Sequence, residues 1–121
     1  MATSSLTEAV FSLPEVDRRG GVALARDFAR RAASVCGYLG CHEDVVVVVS
    51  ELATDAVRHG SGRPLVRILG GRDRLLVEIV DTAWPRLRDF GWGQQLVAKL
   101  SESWGMTVRA GQNVVWCEMT A

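Results

Sequence analysis

Glu43-Asp44-Val45-Val46-Val47-Val48-Val49-Ser50-Glu51-Leu52-Ala53-Thr54-Asp55-Ala56-Val57-Arg58-His59-Gly60 is the stretch on which the fold turns. Its five consecutive valines read as a buried strand by propensity. Its second half is helical in composition and period, and no turn signal separates the two. The continuity predicts one buried helix over 43–59, with tertiary packing overriding valine's weak helix propensity. Glu43 and Asp44 sit where the helix macrodipole favours acids. Helical spacing puts Glu51, Asp55 and His59 at i, i+4 and i+8 on one face. Two acids and an imidazole stacked this way can hold a cation, activate a hydroxyl, or simply face water. With Thr54 and Arg58 they make the polar side of a valine-rich helix, and such a side often borders a pocket.

The flanks follow from this helix. Upstream, Ala9-Val10-Phe11-Ser12-Leu13 reads as a short strand stopped by Pro14. The residues Val22, Ala25, Phe28, Ala29, Ala32, Ala33 and Cys36 recur at helical spacing. They predict a helix within 16–38, firm from about Val22 because Gly20-Gly21 weakens its first turns, and ended by Gly37 and Gly40. Downstream, strands at 65–69 and 74–81 flank a hairpin connection at Gly70-Gly71-Arg72-Asp73. Leu75, Val77 and Ile79 alternate with Leu76 and Val80. The segment 82–93 is irregular. A third helix is expected at 94–104, with Leu96, Val97, Leu100 and Trp104 on its stripe and Gly105 as its cap. Strands at 106–109 and 114–119 close the chain around Ala110-Gly111-Gln112-Asn113. The order β-α-α-β-β-α-β-β predicts an α+β two-layer sandwich, a mainly antiparallel sheet covered by three helices.

Composition narrows the functions. The 121 residues suggest a single domain over 1–121, large enough to bury about two-thirds of the surface its unfolded chain exposes. Apolar residues make up 48% and charged residues 23%, as in an ordinary soluble domain. The formal net charge is zero and the basic residues are scattered, so the one-sided positive field needed for nucleic acid or an anionic membrane is missing. Three cysteines, Cys36, Cys41 and Cys117, without a C-x-x-C, argue against a disulfide framework or structural zinc. They read as small buried hydrophobes in a reducing compartment. No apolar run approaches the roughly 20 residues of a membrane helix. Residues 1–7 lack the basic region of a signal peptide. A cytoplasmic protein is expected.

Two further features bear on chemistry. Asp81 ends the apolar strand Leu75-Leu76-Val77-Glu78-Ile79-Val80, where a carboxylate can receive a ligand N–H or merely start a turn. Gly91-Trp92-Gly93 precedes the third helix, and glycines there leave backbone N–H groups open to an anion such as phosphate. Alone, a G-x-G is a weak signal. Together with the acid-lined helix, these are the parts of a nucleotide site: Glu51, Asp55, His59, Asp81, Gly91 and Gly93.

Four motifs, in order along nearly the whole chain, carry a resemblance. Ser50-Glu51-Leu52-Ala53-Thr54-Asp55-Ala56-Val57-Arg58-His59 resembles the N-box S-E-L-V-T-N-A-V-R-H of the anti-sigma-factor serine kinases. These belong to the wider GHKL, or Bergerat-fold, ATPases, which include gyrase and bacterial histidine kinases. Val80-Asp81-Thr82-Ala83-Trp84-Pro85 is similar to that family's G1 box. Gly91-Trp92-Gly93-Gln94-Gln95-Leu96-Val97 with Trp104-Gly105 resembles G-R-G-L-x-L-V…W-G. Val115-Trp116-Cys117-Glu118-Met119 resembles its final strand. The resemblance implies that Glu51 is the base orienting an attacking hydroxyl, that position 55 holds Mg²⁺, and that Asp81 reads the adenine amino group. It implies a sigma factor or an anti-anti-sigma protein as partner, phosphorylation of a serine on the latter, and a homodimer as a frequent assembly.

The departures from that pattern fall on the nucleotide site. Asp55 stands where the family has Asn. A carboxylate is a good ligand for Mg²⁺, but it adds negative charge beside a triphosphate. Two unit charges about 4 Å apart at an effective dielectric near 20 interact by roughly 4 kcal/mol, about three decades of affinity unless Mg²⁺ or Arg58 compensates. The loop between Pro85 and Gly91 is short. Trp92 and Gln94 replace the usual Arg and Leu, although Arg86 and Arg88 are near in sequence. Val114 falls where many members carry Thr. Trp84 stands in a G1 box that lacks its usual glycine. These changes predict a degenerate member in which Mg-ATP binding is weak or absent and protein binding is kept. An active serine kinase is the alternative, since Glu51 and Asp81 are retained. A metal-binding role for Glu51, Asp55 and His59 is a third. Arg18, Arg19, Arg26, Arg30 and Arg31 on the first long helix, and Trp84 and Trp92, are candidate partner contacts; a solvated helix face and a plugged pocket are the simpler readings.

Overall fold

The valine run is helical. In the computed structural model, helix α2 spans His42–His59 and buries Val45, Val46, Val48, Val49, Leu52, Ala53 and Ala56. These residues cover one broad side of the helix, so burial offsets the entropy that valine loses in a helix. The structure describes residues 6–13, 18–59, 64–81 and 93–121, with the side chains of residues 18, 19, 59, 81 and 94 outside that description. Trp84, Trp92, Gly91 and the shortened loop at 86–90 therefore lie outside the described residues, as do the Arg18 and Arg19 side chains.

The elements run β1 (Thr7–Ser12), α1 (Arg18–Val35), α2, β2 (Leu65–Gly70), β3 (Arg74–Asp81), α3 (Gly93–Leu100), β4 (Ser103–Arg109) and β5 (Gln112–Thr120). The five strands form one sheet in the order β1-β2-β3-β5-β4, and every neighbouring pair is antiparallel. The order of elements is the expected one, and the sheet is antiparallel throughout.

Register sorts the strand residues into rows. Ala9, Ile68, Val77, Cys117 and Trp104 lie opposite one another, and Phe11, Val66, Ile79, Val115 and Met106 form the next row on the same face. Both rows pack into the core shared with α1, α2 and α3. Phe11 and Phe28 stack with ring centroids 5.4 Å apart, tying β1 to α1.

Helix α1 begins at Arg18, so Gly20 and Gly21 are accommodated within it rather than delaying it. It ends as expected at Gly37, whose φ is +69°. The Tyr38 N–H donates to the Ala33 carbonyl at 3.1 Å and the Gly37 N–H to that of Ser34 at 2.9 Å, the two bonds of a Schellman cap. Gly40 is required next, because a Cβ there would collide with the Tyr38 ring.

Two expectations are corrected at the C-terminal half. Helix α3 stops at Leu100, and Trp104 and Gly105 belong to β4. Ser101 Oγ donates back to the Val97 carbonyl at 2.5 Å, and the Glu102 N–H already donates to the Glu118 carbonyl at 2.7 Å, which draws the chain into the sheet. Gly105 is needed by the sheet: a Cβ there would come within 2.9 Å of the Trp116 indole. The last hairpin is also tighter than expected, with only Ala110 and Gly111 between strands. Their φ values of 52° and 76° match the positive φ that two-residue type I′ hairpins require.

Cys36 and Cys117 are buried, and burial pushes the Cys117 thiol up to about 12, so both behave as small core residues. Cys41 departs from expectation: it precedes α2 and is exposed.

Candidate functional site

Helix α2 carries the first three candidates, and its geometry separates them. Successive positions four apart turn by about 40° around a helix, so the series Glu51, Asp55, His59 drifts from the polar edge toward the valine side. Glu51 and Thr54 are half-buried and Arg58 is exposed. Asp55 is only 5% exposed. Carboxylates are rarely buried to that degree unless something engages them. A water-facing stripe accordingly does not describe Asp55. His59 closes the helix, and its side chain lies outside the described residues.

The second part of the site comes from the sheet. Asp81 is the last residue of β3, the strand that packs beneath α2. Its register partner on β5 is Asn113, which in turn pairs with Val108 on β4. This row follows Phe11–Val66–Ile79–Val115–Met106 in the alternation, on the helix-facing side. Val114 pairs with Val80 instead, one residue out of phase, on the opposite face. Val114 stands where many members of the resembling family carry Thr. The register assigns the place beside Asp81 to Asn113, whose amide both donates and accepts. Pairing register, invisible in a single strand's alternation, was the signal needed to find it.

Gly93 opens α3 as expected, and Gly91 lies outside the described residues. Helix α3 packs against α2, with Val97 buried between the helices and the sheet. The fold thus brings the acid-bearing half of α2, the end of β3 and the start of α3 to one side of one sheet. Among the described residues, no group of three or more His, Cys, Asp or Glu side chains is placed to hold a metal ion; the His59 and Asp81 side chains are not among them.

A second charged cluster was not singled out from sequence. Glu78 lies on the face of the sheet away from the helices and is 4% exposed. Arg67 Nη1 donates to its Oε1 at 2.8 Å, and Arg109 donates to both of its oxygens, Nη2 to Oε1 at 3.0 Å and Nη1 to Oε2 at 3.1 Å. Arg67 also binds Glu8, its Nη2 lying 2.6 Å from Oε2. The Arg109 hydrogen bonds, opposed by burial and aided by Arg67, hold the Glu78 carboxyl below its ordinary range. A lone acid in an apolar strand, with an arginine at its register position on the next strand, was the available hint.

No protein-family model matches the chain, and no curated protein matches it. Among solved structures, the crystal structure of the RsbU and RsbW domains of Rv1364c from Mycobacterium tuberculosis is similar, with a TM-score of 0.60 at 18% identity. The match covers 94% of this chain and 32% of that one, so this chain spans about a third of the length of its neighbour. At that identity the likeness establishes the fold alone: this chain is an α+β sandwich like part of that structure.

Proposed function

We propose that this chain is a regulatory module of the anti-sigma-factor type, which captures a sigma factor or an anti-anti-sigma protein and binds Mg-ATP weakly or not at all. The observation that carries the reading is Asp55: at the position where the resembling family has Asn, this chain places a carboxylate and buries it to 5% exposure. An ionised carboxylate at that depth is screened by water less than a solvated one, so it opposes a triphosphate more strongly. The motif order and the fold shared with the RsbU–RsbW structure support the regulatory part of the proposal.

A serine kinase acting on an anti-anti-sigma protein is the second reading, and one observation favours it. Glu51 is only half-buried, as a base that must reach a partner's hydroxyl should be. In that case position 55 would hold Mg²⁺, which screens the carboxylate and supplies charge neutralisation at the phosphates. The two readings separate in one experiment. The protein is mixed with candidate sigma and anti-anti-sigma proteins of its own organism, and both complex formation and ATP-dependent phosphate transfer are measured. Complexes without phosphoserine are expected. Phosphoserine that disappears in Glu51→Gln would establish the kinase instead, and no complex with any candidate would remove the regulatory assignment.

A further inference from the structure

Strand β4 is an edge of the sheet: β5 pairs with one side of it, and among the described residues no strand pairs with the other. The hairpin decides which backbone groups face the open side. A two-residue loop is closed by a hydrogen-bonded pair, here Arg109 and Gln112. Alternation along the antiparallel ladder then turns the backbone groups of Thr107, Gly105 and Ser103 toward β5 as well. The N–H and C=O groups of Trp104, Met106 and Val108 point the other way, into the open edge. An extended backbone matches such a row of alternating donors and acceptors.

The side chains along this row are apolar on both faces of the sheet. On the helix-facing side, Trp104 and Met106 are only partly buried against the core, and Val108 is 69% exposed. On the opposite side, the Trp116 indole crosses Gly105, within 2.9 Å of where a Cβ would stand, so it reaches from β5 over β4. Edge strands are ordinarily guarded by lysine, proline or a free charge. Ser103–Arg109 contains neither lysine nor proline, and its one charge, Arg109, sits at its end and is bound to Glu78. The other edge differs. There Glu8 of β1 is paired with Arg67 of β2, and charges beside an edge discourage an added strand.

We infer that the open edge of β4 docks an extended, uncharged segment of a partner protein, added antiparallel as a further strand. Aliphatic β-branched residues opposite Trp104, Met106 and Val108 prolong the helix-facing core. One more, opposite Gly105, rests on the Trp116 indole. A second copy of this chain fits less well: β4 pairing with itself about Met106 sets Thr107 opposite Gly105, and its hydroxyl against that indole. A single short strand covers less than the ~1,200 Å² at the lower end of standard interfaces, so the binding is transient. It rests on the sheet edge and on no nucleotide, so its failure would leave the proposed function standing, and the converse holds.

The probe is the blocked peptide acetyl-Lys-Val-Thr-Val-Ile-Val-Thr-Lys-amide, whose valines fall opposite Val108, Met106 and Trp104 and whose isoleucine falls opposite Gly105 in an antiparallel pairing. It is titrated into isotope-labelled protein, and amide hydrogen exchange is read residue by residue. Saturable binding below about 1 mM is expected, with protection gained at the Trp104, Met106 and Val108 amides. N-methylation of the valines removes the donors to the β4 carbonyls and should weaken binding at least about tenfold. N-methylation of the threonines and isoleucine, whose N–H groups point away from β4, should leave it unchanged. No binding, no gain of protection at those amides, or equal loss from both methylated peptides overturns the proposal. Protection already present in the free protein, from a second copy or another part of the chain, overturns it too. Val108→Pro removes an outward N–H without breaking a bond to β5, and it should weaken binding at least about tenfold. A folded Val108→Pro protein that binds like the wild type contradicts the proposal; should that variant unfold, the methylated peptides on the wild type decide.

Discussion

The two faces of this sheet share one backbone and opposite physics. On the helix-facing side, the rows built on Val77 and Ile79 are apolar from β1 to β4, buried against the helices at β2, β3 and β5 and partly buried at the two edge strands. On the other side, the residue between them, Glu78, is as buried as they are but is held by arginines from β2 and β4. One face is stabilised by non-directional burial. The other depends on the placement of three side chains, because a buried carboxylate is tolerable only when paired. A single strand alternation can thus serve two incompatible environments, provided the register delivers the right partner from each neighbour.

That contrast can be broken most severely from the apolar side. Ile68→Ala removes a fully buried side chain from the middle of the helix-facing rows and should cost about 3 kcal/mol, read as a lower urea midpoint. A loss under about 1 kcal/mol would mean that the core collapses onto the gap and is less tightly packed than described.

Glu78→Ala attacks the polar side and should cost about 2 kcal/mol at neutral pH, since it removes the charged acceptor shared by Arg67 and Arg109, leaving Arg67 with Glu8 alone. Its pH dependence sharpens the comparison. The folded carboxyl titrates below its ordinary value. Its stabilisation is therefore present above the unfolded carboxylate range, near pH 4.3, and fades as pH falls through the depressed folded value. The gap in stability between wild type and Glu78→Gln should narrow on going from pH 7 to pH 3. The Ile68→Ala gap should not. A constant Glu78→Gln gap would show that the arginines contribute nothing through charge.

The smallest expected change is at the hairpin that joins the outer strands. Ala110 holds a φ of 52°, which strains a residue with a Cβ. Asn tolerates this conformation, and Ala110→Asn should raise stability by about 1 kcal/mol. No gain in melting temperature would mean the turn is relaxed in some other way.

The sequence was legible where period and packing agree. Val45 to Val57 read as a helix because no turn residue interrupts it, and the alternation of Leu75, Val77 and Ile79 pointed to the correct buried face. It misled where a short segment fits two periods. Leu96, Val97, Leu100 and Trp104 have helical spacing, yet Trp104 and Met106 also alternate as strand residues, and pairing with β5 decided the matter. The site was partly legible. The acid-bearing face of α2 could be found from spacing, but that Asp55 is buried while Glu51 is half-exposed depends on how the helix rolls onto the sheet. Asn113 and the Glu78 cluster stayed hidden for a common reason, since cross-strand neighbours follow from register and not from local order.

Asp55 remains the residue on which the functional account stands, and calorimetric titration with Mg-ATP tests it most directly. The account predicts that wild-type protein shows no saturable heat at micromolar nucleotide, and that Asp55→Asn binds at least about tenfold more tightly by relieving charge repulsion at the phosphates. Micromolar affinity in the wild type, undiminished by its buried carboxylate, would contradict it.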